Sequence, residues 1–194
     1  HYFRVLSESR ARFEDQRRAR GEDDEPVRSF YAEREVKSVG NSMTFAHNLL
    51  GADECRMGLT ALCDNVGRRL RKRGMVCQTV QLGIRDPEFH NRSRQVTLER
   101  PTSSTRELID LSMQLLLDHW PMDKPVRLLS VTAANLLPED QTCEQLSLFE
   151  AAEDIQKRDR QHKLDRTVDA LRRRFGDQSV IFANSVKKKD KPNE

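Results

Sequence analysis

The chain has 194 residues, of which 34% are charged and 36% hydrophobic, with a formal net charge of +3. That composition fits one folded domain of ordinary size with charged flanks and excludes a single core running through the whole length. So small a net charge excludes a simple polycation, and no apolar run approaches the roughly 20 residues that span a bilayer.

Residues 1–28 hold a few apolar positions (Tyr2, Phe3, Val5, Leu6, Phe13), a charged helical stretch over Ser9–Arg20, and Gly21 as its stop. Glu22–Pro26 reads as a turn and linker. So few apolar side chains cannot bury themselves alone. The segment is an extension packed on the core or the stub of a further domain, and a start at His1 favours a fragment. Glu33–Phe45 reads as a strand carrying Val36, Val39, Met43 and Phe45, with a bulge predicted where Gly40-Asn41 breaks the alternation.

Asp53–Arg73 reads as a helix, because Leu59, Leu62, Cys63, Val66 and Leu70 recur at three- and four-residue steps. Asp53 and Glu54 at its start and the basic cluster Arg68, Arg69, Arg71, Lys72 and Arg73 at its end suit the helix dipole, and Gly74 is its C-terminal stop. Gln78–Arg85 alternates cleanly, with Val80, Leu82 and Ile84 on one side. Ser93–Glu99 follows as a strand with Val96 and Leu98 apolar, and is read as polar and basic on its other side through Arg94, Gln95 and Thr97. A second helix spans Thr105–Trp120, capped by Ser103 or Ser104, with Glu107 three residues after Ser104. Its core face carries Leu108, Leu111 and Leu115, with Trp120 a further candidate. Val126–Ala133 is the last strand.

The order β-α-β-β-α-β implies an α+β, ferredoxin-like domain: a four-stranded antiparallel sheet with two helices on one face and the other face open. The chain then divides into residues 1–28, a domain over 29–138, and a tail over 139–194. That tail opens with a polar linker holding Gln145, Leu146, Ser147, Leu148 and Phe149. Burying each of those large apolar side chains is worth roughly 1.5–3 kcal/mol. They either fold back on their own domain or dock into a partner's pocket. Ile155–Phe175 is a third helix with Leu164, Val168, Leu171 and Phe175 at helical spacing, ended by Gly176. Ser179–Phe182 reads as a small apolar return and Lys187–Glu194 as a disordered basic tail.

No catalytic constellation is present. The histidines are scattered, no Gly-rich phosphate loop occurs, and carboxylates on the Glu22–Glu25 turn diverge rather than converge on a metal. The cysteines Cys55, Cys63, Cys77 and Cys143 have no CxxC spacing and read as reduced, buried thiols. Residues 1–30 carry no signal peptide, so the chain is read as cytoplasmic, without a membrane partner. Base stacking of the RNA-recognition kind is disfavoured, since Gln78–Arg85 and Ser93–Glu99 contain no aromatic residue. Arg, Gln, Thr and Ser on those strands suit phosphate oxygens instead.

Four stretches carry a resemblance. Lys37-Ser38-Val39-Gly40-Asn41-Ser42-Met43-Thr44-Phe45 is similar to the opening strand of the little-finger domain of Y-family DNA polymerases of the DNA polymerase IV and ImpB/MucB/SamB types. Residues 19–27, through Gly21, Asp23, Pro26 and Val27, resemble the end of the thumb that precedes it. Leu164–Gly176 resembles a tail segment of several bacterial members. Between them, Gln145–Phe149 resembles the motif that binds the bacterial sliding clamp.

The resemblance implies the end of a thumb, a little finger and a clamp-binding tail of a translesion polymerase. Its partners would be primer-template DNA, the clamp, and the palm, fingers and thumb of the same protein. Magnesium would serve that catalytic core, whose carboxylates have no counterparts here, so no cofactor, metal ligand or catalytic residue is assigned to this chain. The implied DNA contacts are Lys37, Ser38, Gly40, Arg92, Ser93, Arg94 and Thr97. The implied clamp contacts are Leu146, Leu148 and Phe149 as anchors, Gln145 as polar guide, and Ser147 between them. The competing reading is a stand-alone ferredoxin-like binding or regulatory module with no polymerase parent.

Overall fold

The computed structural model describes residues 36–141 and 152–183. The expected helix at Ser9–Arg20, the thumb-like residues 1–28, the pentapeptide Gln145–Phe149 and the tail Lys187–Glu194 lie outside them. The chain divides into two compact units, His1–Glu35 and Val36–Glu194, and the described residues fall in the second.

Alternation and helical periodicity build the elements in the expected order: β1 (Ser38–Leu49), α1 (Gly51–Lys72), β2 (Met75–Arg85), β3 (Asn91–Thr102), α2 (Thr105–His119), β4 (Val126–Pro138) and α3 (Ala152–Phe175). A short 3-10 turn, Glu139–Gln141, follows β4. The strands form one antiparallel sheet in the order β1-β4-β2-β3. Both βαβ units are therefore split by a strand: β4 lies between β1 and β2, and β2 between β3 and β4. The outer strands are β1 and β3.

The core lies between the sheet and the first two helices. Leu59, Leu62, Cys63, Val66 and Leu70 of α1 are fully buried, as the periodicity requires. They meet Val80, Leu82 and Ile84 of β2, Leu129, Val131 and Ala133 of β4, and Leu108 and Leu116 of α2. Gly74 ends α1 at φ +60, a left-handed position that a residue with a Cβ resists. Ser104 rather than Ser103 caps α2, its hydroxyl accepting the Glu107 amide at 3.5 Å.

Two expectations are corrected. No bulge interrupts Gly40-Asn41: the β1–β4 register runs without a shift from Ser38 to Thr44, and the irregularity falls between Thr44 and Leu49. Arg94 does not share a side of β3 with Gln95 and Thr97. It pairs opposite Leu82, and Val96 opposite Val80, so Arg94 lies on the core side of this edge strand. Side chains of a strand alternate, and 94, 96 and 98 have one parity.

The helix α3 docks through charge. Arg71 of α1 places its Nε 2.7 Å from the Asp169 carboxylate, and another nitrogen 3.5 Å from Asp165. It also donates to the Ser103 carbonyl and the Thr105 hydroxyl at the start of α2. Asp165 accepts the Thr105 amide at 3.1 Å, which caps α2 from outside its own chain segment. Arg172 adds a fork to Asp64 of α1, at 2.7 and 2.8 Å, and donates to the Val180 carbonyl of the return. Meanwhile Leu164, Leu171 and Phe175, three of the four apolar positions that the helical spacing singled out on α3, are 53%, 39% and 63% exposed. The apolar stripe is thus not the docking face. The adjacent polar face is.

Candidate nucleic-acid interface

The inward parity of each strand leaves the opposite parity on the open face, and the register aligns it into rows. One row runs Ser42, Ser130, Gly83, Ser93 across β1, β4, β2 and β3. Beside it lie Gly40, Thr132, Gln81, Gln95 on one side and Thr44, Leu128, Arg85, Asn91 on the other. Ser38, Ala134, Thr79, Thr97 form the last. Hydroxyl and amide groups dominate, with Arg85 the one charged side chain in these rows.

Two glycines flatten this surface. A Cβ on Gly83 would sit 2.3 Å from the Ser130 Oγ, and one on Gly40 would sit 2.8 Å from the Thr132 Oγ1. The hydroxyls of β4 therefore lie across the glycines of its two neighbours, and a trough of about 630 Å³ opens there. It is lined among others by Gly40, Ser42, Gln81, Gly83, Ser93 and Ser130. Such a surface admits close approach by another backbone and offers hydrogen bonds without a steric code.

Cations surround it. Arg85 is held across the β2–β3 hairpin by Asn91, Nε to Oδ1 at 2.7 Å. Arg92 lies on the core side of β3, opposite Ile84, with its guanidinium 5.6 Å from the centre of the Trp120 ring. That stacking holds the charge at the rim. Arg69 of α1 donates to the Gly40 carbonyl at 2.7 Å, and Arg127 to the Ala46 carbonyl at 3.2 Å. Both serve acceptors on edge strand β1, which has no strand beyond it among the described residues.

Of the residues singled out in the sequence, Ser38, Gly40, Ser93 and Thr97 share the open face, Lys37 stands exposed just before β1, and Arg92 and Arg94 occupy the rim on the helix side. Sequence reading gave the glutamines of β2 and β3, Gln81 and Gln95, as suited to phosphate, but assigned no contact to Ser42, Gly83, Ser130 or Thr132. The signal was available as parity: each lies one residue from a buried aliphatic or in its outward phase. The pairing of rows was not, because it depends on which strands are neighbours.

The hairpin cluster Asp86, Glu88 and His90 is spent on the turn. Asp86 accepts the His90 amide at 2.8 Å and lies 3.0 Å from its Nδ1. Desolvation pushes its carboxyl up, but the His90 hydrogen bonds outweigh that and hold it below 3.8. Cys63 and Cys77 are raised to about 12, and Cys55 to about 11, first of all by burial, so none is a nucleophile near neutrality. No helix among the described residues is long and apolar enough to cross a membrane.

Fold and face together define an α+β domain with a hydrogen-bonding surface, charged only at Arg85, inside a basic rim. The model of the impB/mucB/samB family C-terminal domain matches residues 36–148, which is more than half of the chain, and the chain belongs to that family. DNA polymerase IV of Acetivibrio thermocellus is 39% identical over 162 residues, covering 84% of this chain and 40% of the relative. DNA polymerase IV of Pelotomaculum thermopropionicum is 36% identical over 168 residues, covering 87% of this chain and 40% of the relative. The chain thus spans about 40% of the length of these relatives. A solved complex of the beta-clamp processivity factor and the little finger domain of PolIV aligns at a TM-score of 0.45 and 22% identity, covering 58% of this chain and 99% of that one.

Proposed function

We propose that this chain is the DNA-gripping and clamp-tethering C-terminal region of a Y-family translesion DNA polymerase. The observation that carries the DNA reading is the open sheet face. A surface of hydroxyls, amides and glycine backbone with the single charge of Arg85, rimmed by further arginines and free of aromatics, suits phosphate and sugar contacts that position a duplex without reading its sequence. Ser38, Gly40, Ser93 and Thr97 contact the backbone from the face. Lys37, Arg92 and Arg94 supply charge from its edges. A polymerase that must accept damaged templates needs this kind of grip, since it cannot depend on base identity.

The Gln145–Phe149 segment tethers the domain to a sliding clamp, with Leu146, Leu148 and Phe149 filling an apolar pocket. Tethering raises the local concentration of DNA, so a weak grip suffices for processive synthesis. The catalytic carboxylates and their magnesium belong to a palm outside these residues.

Fluorescence anisotropy with a labelled primer-template duplex tests the grip. Affinity should fall steeply from about 50 to 200 mM salt through counterion release, and Ser130→Asp, which puts a carboxylate in the trough, should abolish it. A flat salt response or an unaffected Ser130→Asp variant refutes the reading. Surface plasmon resonance on a bacterial sliding clamp tests the tether: a Leu148→Ala/Phe149→Ala double variant should lose the response of the parent chain.

A further inference from the structure

The basic cluster at the end of α1 has a second half that the sequence did not connect to it. In the fold, the C-terminal half of α3 faces it across a concavity of about 820 Å³. Seven arginines and lysines line that space against three carboxylates, and Asp165 and Asp64 behind them bring two more, which leaves a surplus of two positive charges. A helix C-terminus carries a partial charge of only about −0.5, so two of them offset roughly one unit of this surplus. The cluster therefore exceeds what helix ends call for.

Its members fall into distinct groups. Arg71 and Arg172 are consumed by docking α3. Arg68 and Arg166 are paired at the mouth, with Asp177 and Glu139, each at 2.6 Å. Lys72 of α1 and Arg173 of α3 make no ion pair among the described residues, and both are exposed. Two unpaired cations on facing helices, in an open groove, present charge to an extended anion and do not enclose a small one.

The groove adjoins the sheet trough. Arg69 lines the groove and donates to the carbonyl of Gly40, and Gly40 lines the trough. We propose that the groove between α1 and α3 continues the phosphate track past the β1 edge of the sheet, with Lys72 and Arg173 binding successive phosphodiesters of the same nucleic acid. This rests on the DNA reading of the sheet face and extends its footprint onto the tail helix. It also gives α3 a role in binding: its charged latch brings Arg173 to face Lys72.

The test compares the 194-residue chain with Lys72→Ala/Arg173→Ala on a labelled 30-base-pair duplex, measuring affinity across a salt series. Loss of two phosphate contacts should flatten the slope of log K against log salt by roughly 1.8. The charge-preserving pair Lys72→Arg/Arg173→Lys should restore it, which a structural role for the two stems would not require. Unfolding midpoints should be unchanged, both positions being exposed and unpaired. A parental slope in the alanine pair overturns the proposal, while loss of binding in Ser130→Asp in the same series leaves the sheet reading standing. If Ser130→Asp also binds normally, both fall.

Discussion

Replacing Arg71 with alanine should release α3. Its side chain is 7% exposed, as is that of Asp165, and Asp169 is 12% exposed. Removing one partner of a buried ion pair typically costs about 3–5 kcal/mol, because the charge left behind keeps its desolvation penalty. The loss falls unevenly. Asp165 keeps the Thr105 amide and the Gln161 side chain, each at 3.1 Å. Asp169 loses both of its hydrogen bonds, which come from Arg71 alone. The expected loss is therefore about 3 kcal/mol, and α3 can limit it by swinging out and hydrating its carboxylates.

Hydrogen–deuterium exchange read by mass spectrometry separates the outcomes. Peptides from α3 should lose protection in Arg71→Ala while the sheet and α1 keep theirs, and the urea midpoint of the core should fall less than 3 kcal/mol implies. Arg71→Lys should be intermediate, since an ammonium reaches one carboxylate and cannot form the fork. Unchanged exchange in α3, with a stability loss under about 1 kcal/mol, would show that the charge network does not hold the helix.

Three further outcomes follow from local geometry. Gly83→Ala should change stability by less than about 1 kcal/mol, because the Ser130 hydroxyl turns away from the new methyl, yet it should weaken duplex binding by filling the trough; equal affinity for the two proteins in anisotropy would remove Gly83 from the interface. Ser104→Ala should lower stability by about 0.5–1 kcal/mol in urea titrations, the low end for a cap whose bond is 3.5 Å long. Cys63 and Cys77 have folded pKa values raised to about 12 above a reference of 9.0, so their contribution is fully present below pH 9 and is lost as pH rises toward 12. Stability should fall by roughly 1.4 kcal/mol per pH unit for each thiol in that window, and a Cys63→Ala/Cys77→Ala variant should flatten the decline.

Local pattern carried much of this protein into view. The helical spacing of Leu59 to Leu70 and the alternation of Val80, Leu82 and Ile84 are set by neighbours a few residues apart, and burial there follows from periodicity alone. Gly74 and Ser104 marked helix ends for reasons equally local. The start of β1 was placed early and its bulge misplaced, because Gly40 breaks a hydrophobic pattern without breaking the ladder. Its Cβ is missing to make room for Thr132, a residue some ninety positions away in sequence.

The candidate interface shows the same division. Single outward positions such as Ser93 and Thr97 are readable from strand parity, and Lys37 to Phe45 carried the family likeness. Assembly of Ser42, Ser130, Gly83 and Ser93 into one row required β4 to lie between β1 and β2, which no local signal encodes. The placement of α3 was equally out of reach. Its periodic apolar residues suggest a buried stripe, but the docking free energy sits in Asp165, Asp169 and Arg172, whose partners Arg71 and Asp64 lie roughly a hundred residues upstream. Charge pairs have no period, so a sequence that states plainly which residues enter a core is silent on which buried ions will meet.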